Sequence, residues 1–255
     1  MMFELRPGTW AVDGYLERLP RVTVRVAPDG CQHVGGAPSA LVLASSHGFG
    51  LGVSSREAFP ERLREALVAR GHDLRGTRNC SVPGQQFLAQ VRAAERALAA
   101  GSHPLAIVLV APHHLRVAFD WARMAPQNAV LRGLTSLSRV ARLIYLLRLH
   151  EEVEGQKTRY EPDARLAAGL DRLAAAARAQ GAIPVLALLG APEHPSFDLR
   201  AQAAARGIAA IDVRYVPNDP AWTLDGEHWN ARGHQRVAMD LAGPVDALLR
   251  AASSR

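Results

Sequence analysis

The chain has 255 residues, 48% of them hydrophobic, which is enough to bury one substantial core and gives no reason to expect two. Its formal charge of +6 is carried almost entirely by arginine, because Lys157 is the only lysine. The arginines fall one or two at a time within helical patterns with few aromatics between them, which excludes the basic, base-stacking surface of a nucleic-acid binder.

The first segment, "MMFELRPGTWAVDGYLERLP", is charged throughout and lacks the apolar stretch of a signal peptide. "RVTVRVAPDGCQHVGG" then alternates apolar and polar residues around Pro28-Asp29-Gly30, so residues 1–38 read as a small β hairpin or cap ahead of a main domain at 39–255. Cys31 and Cys80 define no disulfide framework and have no zinc-site spacing, and a reducing, cytoplasmic setting is the simplest expectation.

From residue 39 onward, short apolar runs alternate with helical patterns. Strands are expected at 40–43, around 73–79, and at 105–110, 183–189 and 209–213. Helices are expected at about 59–70, 85–100, 129–150, 162–180, 196–206 and 231–251. Runs such as "AIVLV" and "IPVLALL" are apolar without alternation, as in strands covered on both faces. The expected fold is therefore α/β: a three-layer αβα sandwich around a mainly parallel sheet of about five strands, with a small N-terminal β extension. The stretch 129–150 has apolar residues at helical spacing with arginines between them. It reads as a core-packed helix whose arginine stems cover its flank rather than as a membrane-surface helix, and no apolar run is long enough for stable membrane insertion.

In an open parallel sheet, ligands bind beyond the carboxyl ends of the strands. Chemically capable groups follow three of the expected strands: Ser45-Ser46-His47-Gly48, then Asn79-Cys80-Ser81-Val82-Pro83-Gly84, then Pro112-His113-His114. Asp225-Gly226-Glu227-His228 stands ahead of the last helix. A serine hydroxyl needs a base to take its proton and a third group to orient that base. Asp225 and His228, three residues apart, can supply both, with backbone N–H groups of the first two loops and a side chain of the third stabilising an oxyanion.

These residues resemble the SGNH or GDSL hydrolases, whose fold is a flavodoxin-like αβα sandwich, over most of the chain from about residue 38. The family's GDSxxxG block is similar to "ASSHGFG", which puts Ser46 on the nucleophile and Gly50 on the glycine. Its NAGVPG block is similar to "NCSVPG", with Ser81 at the oxyanion glycine. "VLVAPHH" stands where GxND would be, with His113 at the oxyanion asparagine, and DxxH is intact as Asp225 and His228. Ala44 and Ser45 replace the glycine and aspartate before the nucleophile, and Ser81 and His113 are further departures. A serine keeps the backbone N–H if its φ/ψ suits a Cβ, and a histidine can donate where an asparagine amide did.

Purely structural roles account for the same residues less fully. Ser45 is one residue too far from Gly50 to be the nucleophile of that spacing. His228 could be a packed histidine with Asp225 as a plain cap, and His113 and His114 a satisfied loop pair. His234 reads as a structural residue. Four histidines (His47, His113, His114, His228) could meet in one cleft, yet no metal-ligand spacing is present, and Gly48, Gly50 and Gly52 do not make GxGxxG.

The resemblance implies a serine hydrolase of a carboxylic ester or thioester, with catalytic Ser46, Asp225 and His228 and with oxyanion donors at Ser46, Ser81 and His113. Ser45, His47, Asn79, Gly84 and His114 are expected around the site or lining the substrate. The expected partner is a small-molecule ester or acylated substrate, with no metal, no cofactor and no nucleic acid. The same triad could serve an acyltransferase, and the substituted loops could instead belong to a noncatalytic binding or scaffold protein.

Overall fold

The computed structural model describes residues 6–12, 20–117, 159–190 and 194–254. The expected helix at 129–150 lies outside them. The first two strands, β1 (Gly8–Val12) and β2 (Val22–Val26), pair antiparallel as a two-stranded sheet of their own. The main sheet has six strands: β3 (Gln32–Gly35), β4 (Ser39–Leu43), β5 (Gly76–Asn79), β6 (Leu105–Val110), β7 (Ile183–Leu189) and β8 (Ala209–Val213). Their order is β3-β5-β4-β6-β7-β8, parallel throughout except for β3, which runs antiparallel on the edge.

Among the described residues, six helices accompany them: α1 (Ser46–Phe49), α2 (Phe59–Val68), α3 (Phe87–Ala99), α4 (Asp163–Ala179), α5 (Leu199–Ala204) and α6 (Ala231–Ser253). Every residue of β4 and β6 is buried, and alternate side chains feed two cores. Leu41 and Leu43 join α3, α4 and α5 on one face, and Ala40 and Val42 join α2 and α6 on the other. Burial on both faces is the physical reason these strands are apolar without alternation.

Two expectations at the N-terminal end are corrected. The chain does turn at residues 27–31, with Gly30 N–H on Ala27 O, but the flanking strands part: β2 pairs with β1, and β3 joins the main sheet as its sixth strand. The cysteines are paired as well. The β3–β5 register sets Gln32 opposite Asn79, so Cys31 and Cys80 face each other one step on, at a Cα–Cα distance of 4.3 Å, and form a disulfide. With both cysteines in a disulfide, cysteine usage no longer argues for a reducing compartment. Among the described residues, no helix is long and apolar enough to cross a membrane.

Candidate active site

Strand order decides what meets at the carboxyl edge. β4 lies between β5 and β6, so the loops after these three strands converge at the point where the chain reverses its direction of travel across the sheet. Ser46 opens α1 after β4, Asn79 and Ser81 follow β5, and His113 and His114 follow β6 in a 3-10 turn over Pro112–Leu115.

The four-residue α1 is held from below. A Cβ on Gly48 would lie 2.4 Å from both Ala44 Cβ and Ser81 Oγ, so only glycine lets this turn settle onto the sheet. Asn79 Nδ2 donates to Gly48 O (2.8 Å), Gln32 Nε2 donates to Phe49 O (3.1 Å), and Gly50 ends the helix in the left-handed region with φ 81°.

Asp225 and His228 meet side chain to side chain within one loop. Asp225 Oδ2 accepts from His228 Nδ1 at 2.7 Å, and Oδ1 accepts from the N–H groups of Glu227 (3.0 Å) and His228 (2.7 Å). Burial alone would raise the Asp225 carboxyl, but these bonds outweigh it and bring its pKa down to about 2. An ionised acceptor on Nδ1 leaves His228 Nε2 as the basic nitrogen. Asp225 is not the cap of α6. That place belongs to Asn230, whose Oδ1 accepts from Gly233 N–H (3.0 Å).

His47 joins the two loops. Its Nε2–H donates to Glu227 O at 3.3 Å, and its ring lies 5.6 Å from that of His228, 4.7 Å from Trp229 and 5.8 Å from Tyr215. Burial, then the neighbouring His228 and His113, lower its pKa to about 3, so it is neutral at ordinary pH, with a buried Nδ1 that has no partner among the described residues. His234 is buried and accepts from Phe59 N–H through Nδ1 (3.1 Å), the structural role expected of it.

The third-loop pair divides. His114 is buried, and its Nδ1 accepts from Ala111 N–H (3.0 Å), with Gln90 Nε2 at 3.3 Å and Leu109 O at 3.2 Å. A backbone N–H can only donate, so the ring proton sits on Nε2 and points at Ser45 Oγ, 2.9 Å away. Ser45 therefore accepts from a histidine that has no free nitrogen to take its proton. The half-buried His113 packs edge-on against His114 at 4.5 Å, and its ring makes no hydrogen bond among the described residues.

Ser46 is partly exposed, and its hydroxyl makes no hydrogen bond among the described residues, to His228 or otherwise. Ser81 is fully buried, donates its N–H to Asn79 Oδ1 (3.2 Å) and has a hydroxyl without a partner among the described residues. Its φ is not positive, so a side chain replaces glycine there without backbone strain. Gly84 does need its glycine, at φ 76°. Ligand atoms of Asp29, Cys31 and His33 lie within 4.8 Å of one another, but the Cys31 sulfur is spent in the disulfide.

Sequence reading missed Tyr215, whose hydroxyl reaches Glu227 O at 3.5 Å beside His47. It lies two residues past β8, where a search beyond every strand end would have met it. Gln32 and Gln90 act from an edge strand and a helix interior, where no motif marks them.

The sequence matches no protein-family model and no curated protein. Solved structures are similar in fold. TesA is 19% identical, covering 83% of this chain and 99% of its own, with a TM-score of 0.48. A psychrotrophic esterase, EstA from Pseudoalteromonas, inhibited there by monoethylphosphonate, is 12% identical over 83% and 100%, with a TM-score of 0.49. A GDSL-like lipase from Bacteroides thetaiotaomicron is 12% identical over 84% and 88%, with a TM-score of 0.41. In fold, this chain is similar to esterases and GDSL-type lipases.

Proposed function

We propose that the protein is a serine hydrolase that cleaves a carboxylic ester or thioester through an acyl-enzyme on Ser46. The Asp225–His228 couple carries this reading. A carboxylate fixed by two backbone N–H groups holds one imidazole nitrogen and leaves the other as a base, on a loop that His47 ties to the turn bearing Ser46.

Ser46 Oγ attacks the acyl carbon while its proton passes to His228 Nε2. The imidazolium is supported by Asp225, and collapse of the tetrahedral intermediate expels the alcohol or thiol, which takes that proton from Nε2. Water then attacks the acyl-enzyme with its proton going to the same nitrogen, and Ser46 Oγ recovers it as the acid leaves. Ser46 N–H and the His113 ring stabilise the oxyanion. Ser81 N–H contributes only when it is released from Asn79. An alcohol in place of water makes the same steps an acyl transfer.

Labelling by a fluorophosphonate, read by intact mass, tests this directly. One equivalent on the wild type, and none on Ser46→Ala or His228→Ala, is the expected result. A folded wild type that takes no label sinks the proposal and favours a noncatalytic binding protein, for which the open Ser46 hydroxyl and the engaged Ser81 N–H would be the reasons.

A further inference from the structure

The pair Ser45–His114 is unlike an ordinary buried contact. Ser45 is the residue before α1, where a serine hydroxyl normally caps the helix by accepting from its first-turn N–H groups. Here the side chain makes no such bond, although the residue is almost fully buried. Its Oγ is turned away from its own helix to accept from His114 Nε2–H, on the loop after the neighbouring strand β6. The donor is itself fixed: Ala111 N–H and Gln90 Nε2 both point at Nδ1, and Gln90, fully buried on α3, also donates to Gln85 O (3.2 Å). Three elements of the fold thus converge on one hydroxyl adjacent to Ser46.

We propose that His114 and Ser45 are positioning residues that set the Ser46 turn, the directed hydrogen bond from His114 fixing the backbone of Ser45 and through it the attack angle of Ser46 Oγ and the aim of its N–H. This rests on the catalytic reading of Ser46 given above. The mechanism needs such a device because α1 is only four residues long and has little helix of its own to hold it rigid. Misplacement of a reacting atom by a fraction of an ångström to an ångström is costly in rate while leaving substrate binding largely intact.

The test is the rate of fluorophosphonate labelling, together with kcat and KM for an activated ester, on wild type, Ser45→Ala, His114→Gln, His114→Leu and the double variant Ser45→Ala/His114→Leu. Ser45→Ala and His114→Leu are each expected to lower the labelling rate and kcat by about 10- to 30-fold with KM within about twofold. The double variant is expected to be no slower than the slower single one, because both remove the same bond. His114→Gln, whose amide can still donate, is expected to recover most of the rate. A loss of core stability alone would lower the unfolding midpoint without splitting kcat from KM in this way. If His114→Leu does not fold, Ser45→Ala, which only deletes an oxygen, decides. Wild-type rate in Ser45→Ala, or effects that multiply in the double variant, overturns the inference while labelling of the wild type upholds the catalytic reading. An unlabelled wild type overturns both.

Discussion

His47 Nε2–H donates to the carbonyl oxygen of Glu227, so the residue after Ser46 is bonded to the residue before His228 across 180 positions of sequence. At 3.3 Å this bond is long, but His47 is buried, with its ring packed against Tyr215 and Trp229. His47→Phe keeps an aromatic ring in that packing and removes the donor. One neutral hydrogen bond is worth about 1 kcal/mol, so turnover of an activated ester should fall by about five- to tenfold. Steady-state kinetics beside the wild type checks it, and an unchanged kcat would show that the two loops hold their places without this contact.

Acid should unfold the protein early. Burial first, then neighbouring histidines, bring the folded pKa values of His47 and His234 to about 3, against 6.5 for the exposed group. The unfolded chain therefore binds protons that the folded one refuses. Stability is full above pH 6.5 and is lost as the pH falls from there towards 3, by about 1.4 kcal/mol per pH unit for each histidine. At about pH 4.5 these two alone cost about 5 kcal/mol, comparable to the whole stability of many domains. Asp225 acts lower down: its folded pKa of about 2 lies below the ordinary 3.8, so its contribution is present above 3.8 and lost as pH falls through 2. Urea unfolding at pH 7, 6 and 5 should show a midpoint that drops at each step, and a level midpoint across that range would mean the histidines are hydrated in the folded state.

How far the sequence carried the fold depended on burial. β6, β7 and β8 were legible to the residue because their apolar runs are bounded by polar turns. β3 was read only as part of an N-terminal hairpin, because its own short pattern "QHVG" carries nothing to show that its partner is β5 in the main sheet. The Asp225–His228 couple was legible because both partners lie within one loop, where spacing fixes reach. Ser45–His114 and His47–Glu227 were not, because their partners are 69 and 180 residues apart and only strand order brings them together. The disulfide needed the β3–β5 register, which no count of cysteines supplies.

Reducing that disulfide should weaken the fold and then the site. It closes a loop of 49 residues, for which the chain-entropy relation gives about 4 kcal/mol. Each cysteine also adjoins a side chain that holds α1: Cys31 precedes Gln32, which bonds Phe49 O, and Cys80 follows Asn79, which bonds Gly48 O. The urea midpoint of the Cys31→Ala/Cys80→Ala variant should therefore fall by an amount equivalent to about 3–4 kcal/mol. Labelling of Ser46 should slow even at urea concentrations where the variant remains folded. A variant as stable as the wild type would show that β3 is kept in register by the sheet alone.

Ser81 and Gly48 face each other under the Ser46 turn and should respond in opposite senses to the smallest change of side chain. Gly48→Ala places a methyl group 2.4 Å from both Ala44 Cβ and Ser81 Oγ, in a fully enclosed place with no room to give. Overpacking of that kind costs about 1–3 kcal/mol, and here the strain would be relieved by lifting α1 and Ser46 off the sheet, so labelling should be lost along with stability. Ser81→Ala removes a buried hydroxyl that has no partner among the described residues and leaves the backbone N–H in place. It should raise stability by about 1 kcal/mol and leave labelling close to the wild-type rate. In the double variant Gly48→Ala/Ser81→Ala, one of the two clashes is eased and part of the lost stability should return, the non-additivity expected of residues in contact. Thermal unfolding and intact-mass labelling of the three variants check all of this together. A Ser81→Ala variant that is clearly destabilised would mean that the hydroxyl has a partner in solution and that the turn is held from that side as well.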